Sequence, residues 1–347
     1  EGAEYVVNST TNASDTIYVG GIAAFISTSS PRDVISNCSF QGSISVVGNT
    51  GGGRYLGGIV GRSESSSSAV NNNRIQNCTV NASMSCAHIS SYVFGIGQNM
   101  NATNCHFSGE IYTKNGGSGI SNSSCTDCSV SNSTIVCDGA SVISGISNGN
   151  MDATRCTVSN STISGIGTAV GISLGSTSNC SIIDSTVKSS STNTSHLVAG
   201  ISNFGRTHTN ALVKNCIIEG VHVAGIACIT GNGAVDINNS AVIGGTIHCT
   251  HLNGYAGGVS AISANNTSNG VSVDKCYCSA SITTVGTSIG GVSSSANGSG
   301  SVKNSFFLGE FVKGLGALTS NIGLISDKPL TSNANNYALD TARIILE

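Results

Sequence analysis

Along most of the chain, apolar residues stand in short alternating bursts separated by polar and glycine-rich breaks. The bursts repeat. Ten times an apolar residue (Phe40, Val80, Phe107, Val130, Val158, Ile182, Ile218, Val242, Cys278 or Phe307) follows two positions after a Cys or Ser. Two residues further on, eight of the ten copies carry a type that tolerates a turn or a left-handed backbone, such as Gly42, Asn132, Asn160, Asp184 or Gly220. A second apolar residue follows, from Ile44 and Met84 in the first copies to Ile282 and Val312 in the last. This is the period-2 alternation of a half-buried strand, a corner, and another short strand. Nowhere does a 3.6-residue pattern persist long enough for a helix.

A Gly followed by Ile or Val keeps the same beat, at Gly21, Gly58, Gly95, Gly119, Gly145, Gly171, Gly200, Gly225, Gly258 and Gly291. The nine steps average 30 residues, and the shortest is 24, from Gly95 to Gly119. A coil of that size cannot bury its own apolar face, so copies in register stack on one another. The expected fold is all-β, a parallel β-helix or solenoid of about ten coils spaced about 4.8 Å apart. The 24-residue minimum fits a right-handed, three-faced coil. The repeats span 20–316, with 1–19 as an N-terminal strand or cap and 317–347 as a C-terminal cap or interaction tail. Arg62–Asn73 and Ser189–Ser195 are polar bulges between markers and read as projecting loops.

Composition narrows the class. Gly, Ser, Thr and Asn make up 49% of the 347 residues and charged residues only 9%, which excludes a helical bundle. Fourteen Lys and Arg against 17 Asp and Glu give no basic field for nucleic acid. No run approaches the roughly 18 apolar residues of a membrane span. The chain opens at Glu1 without Met or signal peptide and reads as a mature or trimmed piece.

The segments Gly57-Gly58-Ile59-Val60-Gly61, Gly20-Gly21-Ile22-Ala23 and Gly290-Gly291-Val292-Ser293 resemble the GLUG-type repeat of bacterial and protist surface proteins. The pattern is also similar to the β-helical passenger regions of polymorphic outer-membrane adhesins. The resemblance covers about residues 20–316 and implies an extracellular, elongated, adhesive or structural protein. The cysteine column departs from both families.

Fourteen Cys is an even number and allows a disulfide framework in an oxidising compartment. Stacked residues stand about 4.8 Å apart, inside the window for a bridge. The candidate pairs are Cys78 with Cys105, Cys128 with Cys156 and Cys180 with Cys216. A column of buried free thiols is the competing reading. Asn precedes this position at Asn37, Asn77, Asn104, Asn179, Asn215, Asn239 and Asn304, where stacked amides can form a ladder. Fifteen Asn-X-Ser/Thr sequons occur, and Asn8, Asn12, Asn122, Asn193, Asn265 and Asn297 are the loop-like glycosylation candidates. Sugars would help keep so weakly charged a chain in solution.

Many β-helices degrade polysaccharides with paired carboxylates, but the acids here are dispersed. Asp184 falls one coil beyond Asn160, and Asp127 in line with Arg155, a spacing that suits a structural ion pair. His248-Cys249-His251 offers only two ligands on one strand face, short of a zinc set, and Cys125-Thr-Asp-Cys128 lacks a redox motif's strand-to-helix setting. Ser133-Thr134, Ser161-Thr162 and Ser185-Thr186 make a hydroxyl row over three coils, too short for a convincing ice- or glycan-binding array. No catalytic set, metal or cofactor is expected. The sequence therefore points to a non-enzymatic, extracellular or cell-surface structural solenoid, an adhesin stalk or self-assembling filament subunit. Its expected partners are copies of itself, by end-to-end stacking or strand donation. A glycan- or host-receptor-binding adhesin acting through the loops is the alternative, and a polysaccharide-degrading enzyme the third.

Overall fold

The computed structural model describes residues 2–8, 15–26, 34–48, 52–64, 73–203, 206–230, 234–263, 271–295, 300–315, 321–327 and 332–347. Among them no helix forms. Three parallel sheets run the length of the molecule, one of 19 strands and two of 11. The chain is a parallel β-solenoid.

The coil from Thr157 to Cys180 shows the plan. Thr157–Ser159 lies in the 19-stranded sheet, the backbone turns at Asn160, and Thr162–Gly165 continues in the same sheet. Ala169–Val170 belongs to the second sheet and Thr177–Ser178 to the third, before another turn at Asn179. Side chains alternate in and out along each strand, so one residue type recurs at each interior position. Val130, Val158 and Ile182 stand side by side in one file that runs from Phe40, Val80 and Phe107 to Val242, Cys278 and Phe307. A second file joins Ile44, Met84, Ile111, Ile135, Ile163 and Val187 to Ile247, Ile282 and Val312.

The Gly-Ile marker has a steric cause. A methyl group on Gly119 would lie 2.4 Å from the Gly145 carbonyl oxygen, and one on Gly171 would lie 1.9 Å from that of Gly200. Each coil thus places a carbonyl where its predecessor's side chain would be. The Ile that follows turns inward, and Ile59, Ile96, Ile120, Ile146, Ile172 and Ile201 are fully buried.

Among the described residues two of the sheets have eleven layers, in line with the expected coil number of about ten. In the segment expected as a cap or tail, Asn321–Gly323, Ser332–Ala334, Tyr337–Ala338 and Arg343–Leu346 extend all three sheets. At the other end Ala3–Asn8 and Ile17–Gly20 extend two of the three.

The seventh repeat copy lies one corner earlier than the Asn-Cys spacing suggests. Ile182 pairs with Val213, not Ile218, and Cys180 therefore stands beside Ala211. Ile218 belongs to the second file, between Val187 and Ile247, and Cys216 follows Ser185 at the second corner. Asn210-Ala211-Leu212-Val213 is the true copy. Its missing cysteine hid it, while Asn215-Cys216 imitates the marker one corner later.

That second corner is not present throughout. In the early coils the strands Ser39–Val47, Thr79–Cys86 and His106–Thr113 are continuous, and the bend is taken at Gly42 and Gly109 (φ 146° and 126°). Between Phe107/Gly109 and Val130/Ser133 one extra residue enters as a bulge, and Asn132 turns left-handed at φ 50°. From there Asn132, Asn160, Asp184 and Asn215 form a second left-handed corner, with Gly244 (φ 61°) following.

Candidate functional site: corner ladders and the thiol file

At the first corner the residue before each Cys or Ser is left-handed. Asn37, Asn77, Asn104, Asn179, Asn239 and Asn304 have φ between 48° and 57°. Asp127, Arg155, Asn210, Lys275 and Asn335 hold the same conformation in the other coils. Asn tolerates this region better than most residues, and its amide links coils. Asn77 Nδ2 donates to Asn37 Oδ1 (3.2 Å), Asn104 to Asn77 (2.9 Å), Asn210 to Asn179 (2.8 Å) and Asn239 to Asn210 (2.7 Å). Six of the seven expected ladder positions are therefore at this corner. Asn215 is the exception: it stands at the second corner and donates to Asp184 (3.1 Å).

In two adjacent coils an ion pair takes the place of the amide pair. Arg155 grips Asp127 through two bonds of 2.6 and 2.7 Å on the exposed corner, and this pairing holds the Asp127 carboxyl below its usual range. Exposed pairs of this kind add little stability. Asn210→Ala should cost about 2 kcal/mol, combining an unfavourable left-handed Ala with the loss of two ladder bonds. Asn210→Gly keeps the conformation and should cost about half as much. Chemical denaturation of the two variants checks the order.

The side chain after the left-handed residue closes the turn. Cys78 Sγ donates to Gln76 O (3.2 Å), Cys156 to Thr154 O (3.4 Å) and Cys276 to Asp274 O (3.2 Å). Ser240 and Ser305 do the same at 2.8 and 2.7 Å, and at the second corner Ser133, Ser161, Ser185 and Cys216 repeat the device. A thiol or hydroxyl here is a small donor bonded to the carbonyl two residues back, a role the sequence pattern did not disclose.

All fourteen cysteines are free thiols in this structure, and all but Cys38 are buried. Cys38, Cys78, Cys105, Cys128, Cys156 and Cys180 occupy one file through six successive coils. The Cys105 and Cys156 thiols are pushed up to about 12, first by the Cys128 thiol beside each and then by burial. Cys180 is raised by Cys156 and burial. Such thiols are poor nucleophiles. Cys125 is also buried, with its thiol on Ser123 O (3.4 Å).

Of the glycosylation candidates, Asn122 is half-buried and exchanges amide bonds with Asn99 (2.7 and 2.9 Å). Asn193 is exposed at the tip of the Ser189–Ser195 loop, where its Oδ1 accepts Ser195 N (2.9 Å). Asn8 ends the Ala3–Asn8 strand. Asn12, Asn265 and Asn297, with residues 65–72 of the Arg62–Asn73 loop, lie outside the described residues.

The dense His-Cys segment separates. Cys249 is buried with its thiol on Val221 O (2.9 Å), while His248 Nδ1 faces Thr283 Oγ1 (2.6 Å) on the other side. Among the described residues no three His, Cys, Asp or Glu side chains converge into a metal-holding group. The hydroxyl row is real, with Thr134, Thr162 and Thr186 in register.

One outward column went unread. Tyr18, Tyr55, Tyr92, His222 and Tyr255 each stand three residues before a marker glycine, a constant offset that would have revealed them. Tyr18, Tyr55 and Tyr92 stack at 5.6 and 5.5 Å, and Arg62 lies 4.4 Å over Tyr55. Further along, His222 stacks on Tyr255 (5.2 Å), is 2% exposed, and meets Thr194 O through Nε2 at 3.0 Å.

Burial pushes the His222 pKa from 6.5 down to about 4, assisted by the charge of His251 and opposed by the Thr194 carbonyl. The unfolded chain then takes the proton first. Stability should fall as pH drops from about 6.5 towards 4, by roughly 3 kcal/mol in all. The gap between denaturation midpoints at neutral and acid pH should narrow in His222→Phe, which keeps the stack and removes this titration. The lowered pKa values of His88 and His106 leave part of the gap in place.

Comparison with family models, with curated proteins and with solved structures returned no match.

Proposed function

We propose that the chain is a non-enzymatic structural solenoid of the cell exterior, an adhesin stalk or filament subunit whose copies stack end to end. A single register supports this reading. Tyr5 of the Ala3–Asn8 strand heads the interior file that continues through Ile44 and Val312 to Ile344 of Arg343–Leu346. Val7 likewise heads the file that passes through Val46 and Gly314 to Leu346. Tyr5, Ile344 and Leu346 are exposed at 42%, 47% and 62%. A second copy placed in the same parallel register would set Tyr5 against Ile344 and Val7 against Leu346, adding one more coil step.

Sedimentation velocity over a wide concentration range tests this. Wild type should form rods of increasing length, and the double variant Ile344→Lys/Leu346→Lys should remain monomeric with unchanged circular dichroism. A wild-type chain that stays monomeric throughout would overturn the filament reading.

One observation favours the adhesin alternative: Arg62, at the root of the Arg62–Asn73 loop, lies over the ring of Tyr55 in the tyrosine row. A glycan array probed with wild type and Arg62→Ala would then show binding that the variant loses.

A further inference from the structure

The six-membered thiol file is closed at one end, and that end dictates how it can be oxidised. After Cys180 the next position is Ala211, followed by Ser240. Cys180 therefore has one sulfur neighbour in its file, Cys156. Thr157 and Ser181, the residues after the two cysteines, are paired in register, and Ser181 N donates to Cys156 O at 2.9 Å. Adjacent parallel strands place such residues about 4.8 Å apart, within the range a disulfide spans. The Cys180 thiol, besides Ser178 O (3.5 Å), reaches Ala153 O (3.3 Å) in the coil of Cys156. The Cys156 thiol likewise reaches Cys125 O (3.4 Å) in the coil of Cys128, so the closed end of the file is what fixes the pairing. Cys216 is not a candidate partner, because it stands at the other corner beside Ser185.

We infer that Cys156 and Cys180 form the fixed disulfide of this solenoid under oxidising conditions, and that the Cys128–Cys156 and Cys180–Cys216 pairs read from spacing do not form. Once Cys156 is taken, Cys128 can pair only with Cys105 in the file or with Cys125 across its own turn. Within the six-membered file, the one set of neighbour pairings that leaves no thiol over includes the 156–180 bond. The oxidant is a small-molecule disulfide. One cysteine thiolate attacks it and expels a thiol, and the second cysteine attacks the mixed disulfide and expels another. Two electrons pass from the cysteines to the reagent, and the two protons leave to solvent and the released thiolates. Burial leaves both thiols unreactive in the finished fold, so the bond forms while these coils assemble. This inference is independent of the chain's proposed role.

The test is oxidative refolding of the reduced chain from guanidinium chloride with oxidised and reduced glutathione, alkylation, and non-reducing tryptic mapping of the soluble product. Cys156 and Cys180 share the tryptic peptide 156–188. The expected result is that peptide two hydrogen atoms lighter, unalkylated and linked to nothing else, with Cys216 alkylated. A bond joining 156–188 to 115–155 (Cys128) or to 215–275 (Cys216), or full alkylation of 156–188, overturns the inference. Ala211→Cys provides a second readout of register. It lengthens the file, and a link between 156–188 and 207–214 should appear at the expense of the internal bond. A link from 207–214 to any peptide other than 156–188 counts against the closed end.

Discussion

Gly145→Ala is expected to be among the most damaging single methyl groups that could be added to this protein. The added carbon would lie 2.1 Å from the Gly171 carbonyl oxygen, 2.7 Å from Val158 and 3.1 Å from Ile163. The first of these is backbone held by the sheet, so the coil spacing itself must open. A cost of about 3 kcal/mol, at the upper end of ordinary overpacking, is expected. Gly165→Ala is the matched control, because its nearest obstacle is Cys137 O at 3.1 Å, and about 1 kcal/mol or less should be lost. Guanidinium titrations of both variants decide the matter. Equal midpoints would mean that the marker glycines are not held in carbonyl contact. Because each coil touches only its neighbours, hydrogen exchange in Gly145→Ala should accelerate first around 119–171.

Phe107→Ala attacks the same contact from the interior. Phe107 is fully buried, between Val80 and Val130 in its file. Its ring packs flat against the backbone at Gly95, where a methyl group would lie 2.6 Å from the ring carbons. Truncation leaves a cavity bounded by sheet backbone that cannot collapse inward, so about 3–5 kcal/mol should be lost. Phe107→Leu, which refills most of the space, should recover over half of it. Thermal denaturation of the pair checks the ranking, and an Ala variant as stable as the Leu variant would show that the file can close up.

The fold was legible because a stacked coil writes each interior file into the sequence at a fixed phase. Val130, Val158 and Ile182 fall in one file because each follows a turn-closing Cys by two residues. Legibility failed where chemistry and position parted company. Ala211 holds in its coil the position that cysteine holds elsewhere, without the donor, and only pairing with Cys180 reveals it. Asn215-Cys216 has the right letters at the wrong corner, since both corners use a left-handed residue followed by a small donor. The last coil escaped notice because Asn335-Asn336 and Gly323-Leu324 replace the familiar pairs. The buried stack of His222 on Tyr255 depends on two coils meeting, which no single repeat records.

The left-handed corner has one more consequence. Cys156 and Cys180 close equivalent turns, and Thr157 and Ser181 leave them in the same direction, side by side. Excising residues 157–180 would join Cys156 to Ser181 with the cross-section intact and every inner column still aligned. The molecule would simply be one layer, about 4.8 Å, shorter. Loss of a whole layer is thus expected to be a gentler change to this architecture than one misplaced methyl, leaving its length freer to vary than its girth.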